Sequence, residues 1–213
     1  MHVLELSKTL GISATHISRF LEKIGSEWFL IDINPIRVGV REEQGSACGS
    51  PCFAKEFIEA YIPHIHRGPL SLRTMVDLAH AEEVRIAAEK SGQALKDELC
   101  EYLMLARKKW RASSSIRKTA FVGRLDPSRP ARYVFNQLMK QVAKEDFPIE
   151  PNDAVDLLHT IVPLAYCDMI VLNGHWADLV RKMGHQCGLG RAYPVNQLET
   201  FLSEFEEICR RLG

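Results

Sequence analysis

Apolar residues recur every three or four positions along most of this chain, the spacing that gathers them on one side of a helix. Residues 3–23 open with such a pattern (Val3, Leu6, Leu10, then Ile17, Phe20, Leu21), broken at Gly11, with Ser13 placed to cap a second helix. The apolar run 28–33 predicts a short buried strand ended by Pro35, and 36–40 predicts a further extended piece. Residues 42–51, rich in Gly, Ser and Cys, predict a loop. Helical patterns come next at 54–62, 71–90 and 95–111, the middle one starting at Ser71. A linker is expected over 113–130, where Ser, Gly and Pro occur together. Beyond it, helices are predicted at 132–144 and from Asn152 or Asp153 to 165, a strand at 169–172, and helices at 176–183 and 196–212. This order describes a helix-rich α/β domain with a few parallel strands, without internal repeats or low-complexity tracts.

Composition narrows the class more than the chemistry. A chain of 213 residues buries one sizeable core or two small ones. Its 46% apolar and 25% charged residues are ordinary for a folded globular protein. Formal net charge is zero, so no global field draws the chain to nucleic acid or a membrane surface. That argues against a dedicated DNA-coating protein and leaves room for a local basic patch. No apolar run is long enough to span a bilayer, so no membrane partner is expected. The opening MHVLELSKTL lacks the order of a signal peptide. Cys48, Cys52, Cys100, Cys167, Cys187 and Cys209 are scattered and read as reduced thiols, which with the missing leader predicts a cytoplasmic protein.

The most informative stretch is 151–180, PNDAVDLLHTIVPLAYCDMIVLNGHWADLV. Asp153 and Asp156 stand three apart in the first turns of a helix, so their carboxylates share a face. Asp168 comes after that helix, just before the apolar strand. A helix packed on its next strand is expected to bring all three towards one point. Close carboxylates need a compensating cation, and Mg²⁺ or Mn²⁺ suits oxygen ligands and acidifies bound water. A structural reading stands beside this one: Asp153 caps the helix, Asp156 answers its dipole, and Asp168 ends a turn. His159, one turn beyond Asp156, either orients a carboxylate, meets phosphate, or is a hydrogen-bonded core histidine.

Charge is uneven locally. Residues 101–140 hold ten basic side chains against two acidic ones. Within them Lys108, Lys109, Arg111, Arg117 and Lys118 are the candidates for holding an RNA backbone, and a solvated helical face is the plain alternative. Trp110 and Tyr133 stack on bases or are buried. Residues 6–21 also match a helix-turn-helix, with Ser7, Gly11 and Ile17 at its small, turn and core positions and Arg19 on the recognition helix 13–21. Two ordinary helices joined at Gly11 explain the same pattern. Cys48 and Cys52 with His64 and His66 invite zinc, but their spacing is not a tight zinc-finger one and a Gly–Ser loop suffices. The short motifs of phosphate-binding loops, dinucleotide folds, serine hydrolases and zinc peptidases are missing from the sequence.

The run Asn152-Asp153-x-x-Asp156-x-x-His159, then Tyr166-Cys167-Asp168 and a strand, resembles the C-terminal core of PIN-like nucleases. Arg191-Ala192-Tyr193-Pro194 and then Asn196-Gln197-Leu198-Glu199-Thr200-Phe201-Leu202 resemble the closing strand and helix of that family. The resemblance covers residues 131–202, about a third of the chain. It implies a single PIN-like α/β domain over 1–213, a small parallel sheet flanked by helices, with 54–130 as a helical insertion. It further implies a metal-dependent endoribonuclease whose acids gather at the carboxyl ends of the strands. Asp156 and Asp168 would hold Mg²⁺ or Mn²⁺, completed by Asp153 and Glu5, and a metal-acidified water would attack an RNA phosphodiester. A toxin role with an inhibitory protein partner, or a homodimer, is implied by the same resemblance.

Glu5 enters because His2-Val3-Leu4-Glu5-Leu6-Ser7-Lys8 resembles the family's early helix, whose glutamate binds metal; a solvated glutamate reads equally from the residues. The sequence departs from the family pattern twice. PIN-like domains open with a strand ending in aspartate ahead of that helix. With Glu5 in its role this strand is missing, whereas with Asp32 as the opening acid Glu5 leaves the site. Asn173 stands where many relatives carry another aspartate, which lowers the charge offered to a metal. A helix-turn-helix DNA-binding regulator and a catalytically inactive RNA- or protein-binding domain are the alternative functions.

Overall fold

Asn34 shows how local chemistry sets the first boundary. Its side chain accepts from the backbone N–H groups of Ile36 at 3.0 Å and Arg37 at 3.2 Å, and Pro35 supplies a preset first turn, so α1 runs over Pro35–Glu43. The extended piece expected at 36–40 is therefore helical. Proline ends a strand and starts a helix with equal ease, and the asparagine before it decides between the two.

The computed structural model describes residues 19, 34–45, 82–113, 124–184 and 188–212. The expected strand at 28–33, the helix at 54–62 and the loop from 46 to 51 lie outside them. The chain divides into two compact units, Met1–Leu30 with Phe53–Leu95 and Ile31–Cys52 with Lys96–Gly213. In the first, the described residues are Arg19 and 82–95, all helical. Helix α2 is continuous over Glu82–Ala112, where the pattern predicts separate helices at 71–90 and 95–111. Gly92 lies inside it; one helical glycine costs about 1 kcal/mol, too little to interrupt a helix of 31 residues.

In the second unit the core is built round α3 (Pro130–Lys144), which buries Ala131, Val134, Leu138, Met139 and Val142. It packs most extensively on α4 (Pro151–Tyr166), whose buried residues include Leu157, Leu158, Ile161, Val162 and Leu164. At the end of α3 the Glu145 backbone N–H donates to the Gln141 carbonyl, but at its start Arg129 makes no side-chain cap. The buried carboxylate of Glu42, on α1, accepts instead from Ala131 N–H at 2.7 Å and Arg132 N–H at 3.2 Å, and from the Tyr166 hydroxyl at 2.6 Å. At the other end Arg107 Nε donates to the Val142 carbonyl at 3.1 Å and its Nη1 to that of Phe147. Arg111 donates to the carbonyls of Ala143 and Glu145. Anion at the N-terminus and cations at the C-terminus is the arrangement that a helix dipole favours.

After α4 the chain reverses into β1 (Met169–Leu172), crosses through α5 (Gly174–Lys182) and returns as β2 (Arg191–Pro194), parallel to β1. The register pairs Met169 with Arg191, Ile170 with Ala192, Val171 with Tyr193 and Leu172 with Pro194. Ile170 and Leu172 face the helical core. Tyr193, on the other face, meets Phe201 edge-on at 5.5 Å, where α6 (Leu198–Leu212) covers the sheet after a short 3₁₀ turn, Val195–Gln197. Gly190 lets β2 enter, because a Cβ there would lie 2.2 Å from the Cys167 carbonyl oxygen. The architecture is helix-rich with a two-stranded parallel sheet among the described residues. No helix among them is long and apolar enough to cross a membrane.

Removing the Glu42 carboxylate leaves the first N–H groups of α3 unpaired in the core. Glu42→Ala is expected to lower unfolding free energy by roughly 2–4 kcal/mol, with Tyr166→Phe costing about 1 kcal/mol. Urea titrations monitored by circular dichroism measure both. A wild-type midpoint for Glu42→Ala would show that the carboxylate does not carry the helix start.

Candidate metal and RNA site

The acids of α4 take their places from its start. Pro151 sets the first turn, and the Asp153 carboxylate accepts from the Glu150 backbone N–H at 2.8 Å. Glu150 is thus the cap, and Asp153, expected to be the cap itself, closes the capping box from the third helical position. Asp156 stands one turn later, half-buried, on the same face. Its Oδ2 accepts from the Asn173 side-chain Nδ2 at 2.6 Å.

That contact spans the helix–strand unit. Asn173 comes directly after β1 and caps α5, its Oδ1 accepting from Trp176 N–H at 2.9 Å. The capping bond fixes which end of the amide is oxygen, so the nitrogen is turned towards Asp156. A donor aimed at Asp156 and an acceptor aimed at the helix demand the same orientation. The carboxyl end of β1 and the start of α4 therefore meet through one amide.

Asp168 does not join them. It is exposed and precedes β1, and its backbone carbonyl accepts from Arg191 N–H at 2.9 Å at the opposite end of the strand. A four-residue strand at about 3.3 Å per residue separates the two ends by roughly 13 Å. The expectation that the three aspartates converge is corrected by this length: Asp153 and Asp156 lie at one end of β1, Asp168 at the other. Among the described residues no group of three or more His, Cys, Asp or Glu side chains is placed to hold a metal. Glu5, Asp32, Cys48, Cys52, His64 and His66 lie outside the described residues.

Within reach of the Asp153 charge stands a stack of unlike groups. The Arg107 guanidinium lies 4.6 Å from the Phe147 ring centre, and His175 meets the same ring edge-on at 4.4 Å. Burial pulls Arg107 below its ordinary value, and the Arg111 charge adds to this, while Asp146 and Asp153 oppose it. It stays cationic, because arginine starts so high. Its Nη2 is buried without a hydrogen-bond partner among the described residues. Glu145, beside this stack, is held below the usual carboxylate range chiefly by the hydrogen bond from Lys182 Nζ at 2.6 Å, with His175 adding a smaller effect.

The basic candidates divide. Lys108 and Lys109 are exposed on α2. Arg111 is engaged with the end of α3 and with Asp146 at 3.2 Å, and remains partly exposed. Arg117 and Lys118 lie outside the described residues. Trp110 is buried, so it is no platform for a base, and Tyr133 and His159 are half-buried. Of the helix-turn-helix segment only Arg19 is described, helical and exposed.

Sequence reasoning treats Asn173 as the loss of an acid and misses its bridging role, although an asparagine directly ahead of a helix signals a cap. Arg107 and Glu42 leave no local signal at all.

Asp153 and Asp156 each have one carboxylate oxygen engaged, by Glu150 N–H and by the Asn173 amide, so a cation here would have to be a largely hydrated one. Mg²⁺ is commonly held through one or two carboxylates with water completing the shell, and Asp153 and Asp156 offer two on one face. Comparison with protein-family models, with curated proteins and with solved structures finds no match to this chain.

Asn173→Asp keeps the α5 cap but sets a second carboxylate against Asp156. Without divalent cations at pH 7 this is expected to cost roughly 1–3 kcal/mol, and the cost should vanish as pH falls and one acid protonates. Added Mn²⁺ should restore most of the loss. Thermal unfolding in chelator and in Mn²⁺ checks this; equal stability of variant and wild type in chelator would mean the Asp156–Asn173 contact is not made.

Proposed function

We propose that this chain is a metal-dependent ribonuclease of PIN-like type, acting at the carboxyl end of β1. The observation that supports this most is the hydrogen bond from Asn173 to Asp156, which draws the acidic start of α4 to the end of a parallel strand. Open α/β sheets place their sites at that end. A bound Mg²⁺ or Mn²⁺ would acidify a water and offset charge on the phosphodiester.

The chain's own groups have separate tasks in this reading. Asp156 holds the cation, and Asp153 assists directly or through water. Asn173 orients the Asp156 carboxylate and contributes no charge. Lys108 and Lys109 meet the RNA backbone, with Arg117 and Lys118 as further candidates in the same basic stretch. Asp168 has no part at this end of the strand, and the role of Glu5 stays an implication of the resemblance. A site resting on two acids also suits the second reading, an RNA-binding domain that does not cleave.

The test is calorimetric titration of Mn²⁺ into the chain and into Asp156→Asn, alongside cleavage of single-stranded RNA in Mg²⁺ and in Mn²⁺. Saturable binding is expected in the wild type, lost in the variant, with cleavage reduced roughly 100-fold or more. Binding without cleavage would favour the second reading. No saturable binding to the wild type would remove both the metal and the nuclease.

A further inference from the structure

Helix α6 carries three parallel rows of side chains whose members recur every three or four residues. The row Phe201, Glu204, Ile208 is half-buried and faces the protein, Glu204 accepting from the Tyr193 hydroxyl at 2.7 Å. The outer row is polar: Glu199, Ser203, Glu206 and Arg210, all exposed. Between them lies Leu198, Leu202, Phe205, Cys209, an apolar row that the fold leaves in water. Leu198 is 45% exposed and Leu202 and Phe205 are each 48% exposed, with Val195 at 59% before the helix. A four-three-four apolar row is the seam by which one helix packs along another.

We infer that this row is the contact by which two copies of the chain associate, their α6 helices antiparallel. The charge order argues for a second copy in that orientation. The helix has Glu199 in its first turn and Arg210 and Arg211 in its last. An antiparallel copy sets Glu199 of each chain near Arg210 of the other, at both ends of the seam. The partially charged ends of the two helices are then opposed favourably as well. A parallel copy would bring like charges together at each end. Zero net charge leaves no long-range repulsion between copies.

Size and preorganisation agree. The exposed apolar surface of Val195, Leu198, Leu202 and Phe205 is roughly 300–400 Å² per copy, the size of the main apolar patch on an ordinary monomer and often a functional one. About 800 Å² per partner, somewhat over half of it apolar, makes a standard interface. Phe205 stacks on Phe201 at 6.1 Å, which in turn meets Tyr193, so the central aromatic is held in place before any partner arrives.

Sedimentation equilibrium of the full chain at 1–100 μM (a working range of roughly micromolar affinity) tests this, with Leu202→Glu and Phe205→Glu as variants. A dimer is expected for the wild type, and either substitution should raise its Kd at least about 30-fold while leaving the circular dichroism, and the melting of the chain diluted below the dimer Kd, unchanged. Glu199→Lys should weaken the dimer at low salt, and adding Arg210→Glu should restore it. Alkylation of Cys209, read by peptide mass spectrometry, should slow as concentration rises. A monomer throughout the range would overturn the inference. So would an unaltered dimer in both seam variants, or a Cys209–Cys209 disulfide under mild oxidation, which only a parallel pair brings together. None of these readouts depends on metal or RNA, so the dimer and the proposed nuclease stand or fall separately.

Discussion

Helix α3 lies at the centre of the described core, yet no flanking side chain caps its start and a single backbone N–H, that of Glu145, closes its end. An uncapped helix buried on most sides leaves its first N–H and last C=O groups away from water, where each unpaired group costs energy comparable to a lost hydrogen bond. Glu42 answers the first end from 89 residues earlier in the chain, and Arg107 and Arg111 answer the last from the helix before it. With the buried Val38 and Leu103, these side chains fasten α1 and the C-terminal part of α2 to the core. The charges matter beyond their hydrogen bonds, since each sits at the helix end that its sign favours. With α3 held at both ends, α4 has a fixed surface to pack on, and α4 in turn positions the strands and helices after it.

That positioning is largely a matter of lengths. Helix α4 runs one way and β1 runs back along it, so the start of the helix is level with the end of the strand. Asp153 and Asp156 therefore meet Asn173 and the start of α5, whereas Asp168 stays beside the end of α4. The parallel return of β2 repeats the geometry: Gly190 passes close to the end of α4, while Leu172 and Pro194 finish beside the acids' end.

Much of this C-terminal half is legible in the sequence. The strand 169–172 has the same bounds in both because four apolar residues stand between a polar pair, Asp168 and Asn173. Helices α3 to α6 agree with the predicted ones to within about two residues, the usual uncertainty of helix ends. Long-range polar pairing is the part that sequence does not display. Burial of Leu138 leaves a periodic trace; the reach of Glu42 to Ala131 leaves none. The pattern misreads helix α1 because Pro35 serves two grammars. Convergence of Asp156 with Asp168 fails for a different reason: the two ends of a strand are treated as one place, though four residues of strand are long enough to separate two sites.

Asn173 shows why a neutral residue can suit this place. An aspartate there would cap α5 equally well and would offer a metal more charge, but without the metal it would face Asp156 as a like charge at hydrogen-bond distance. The amide satisfies helix and carboxylate at once, so the acidic end of β1 is stable whether or not a cation is present. The same bond restricts the Asp156 rotamer, and a ligand held in advance loses less freedom on binding than one that must be ordered. In the proposed reading the arrangement would exchange some attraction for a cation against a carboxylate whose position is already set. Its ion would be weakly held and largely hydrated, matching the chemistry by which Mg²⁺ is bound through few carboxylates and many waters.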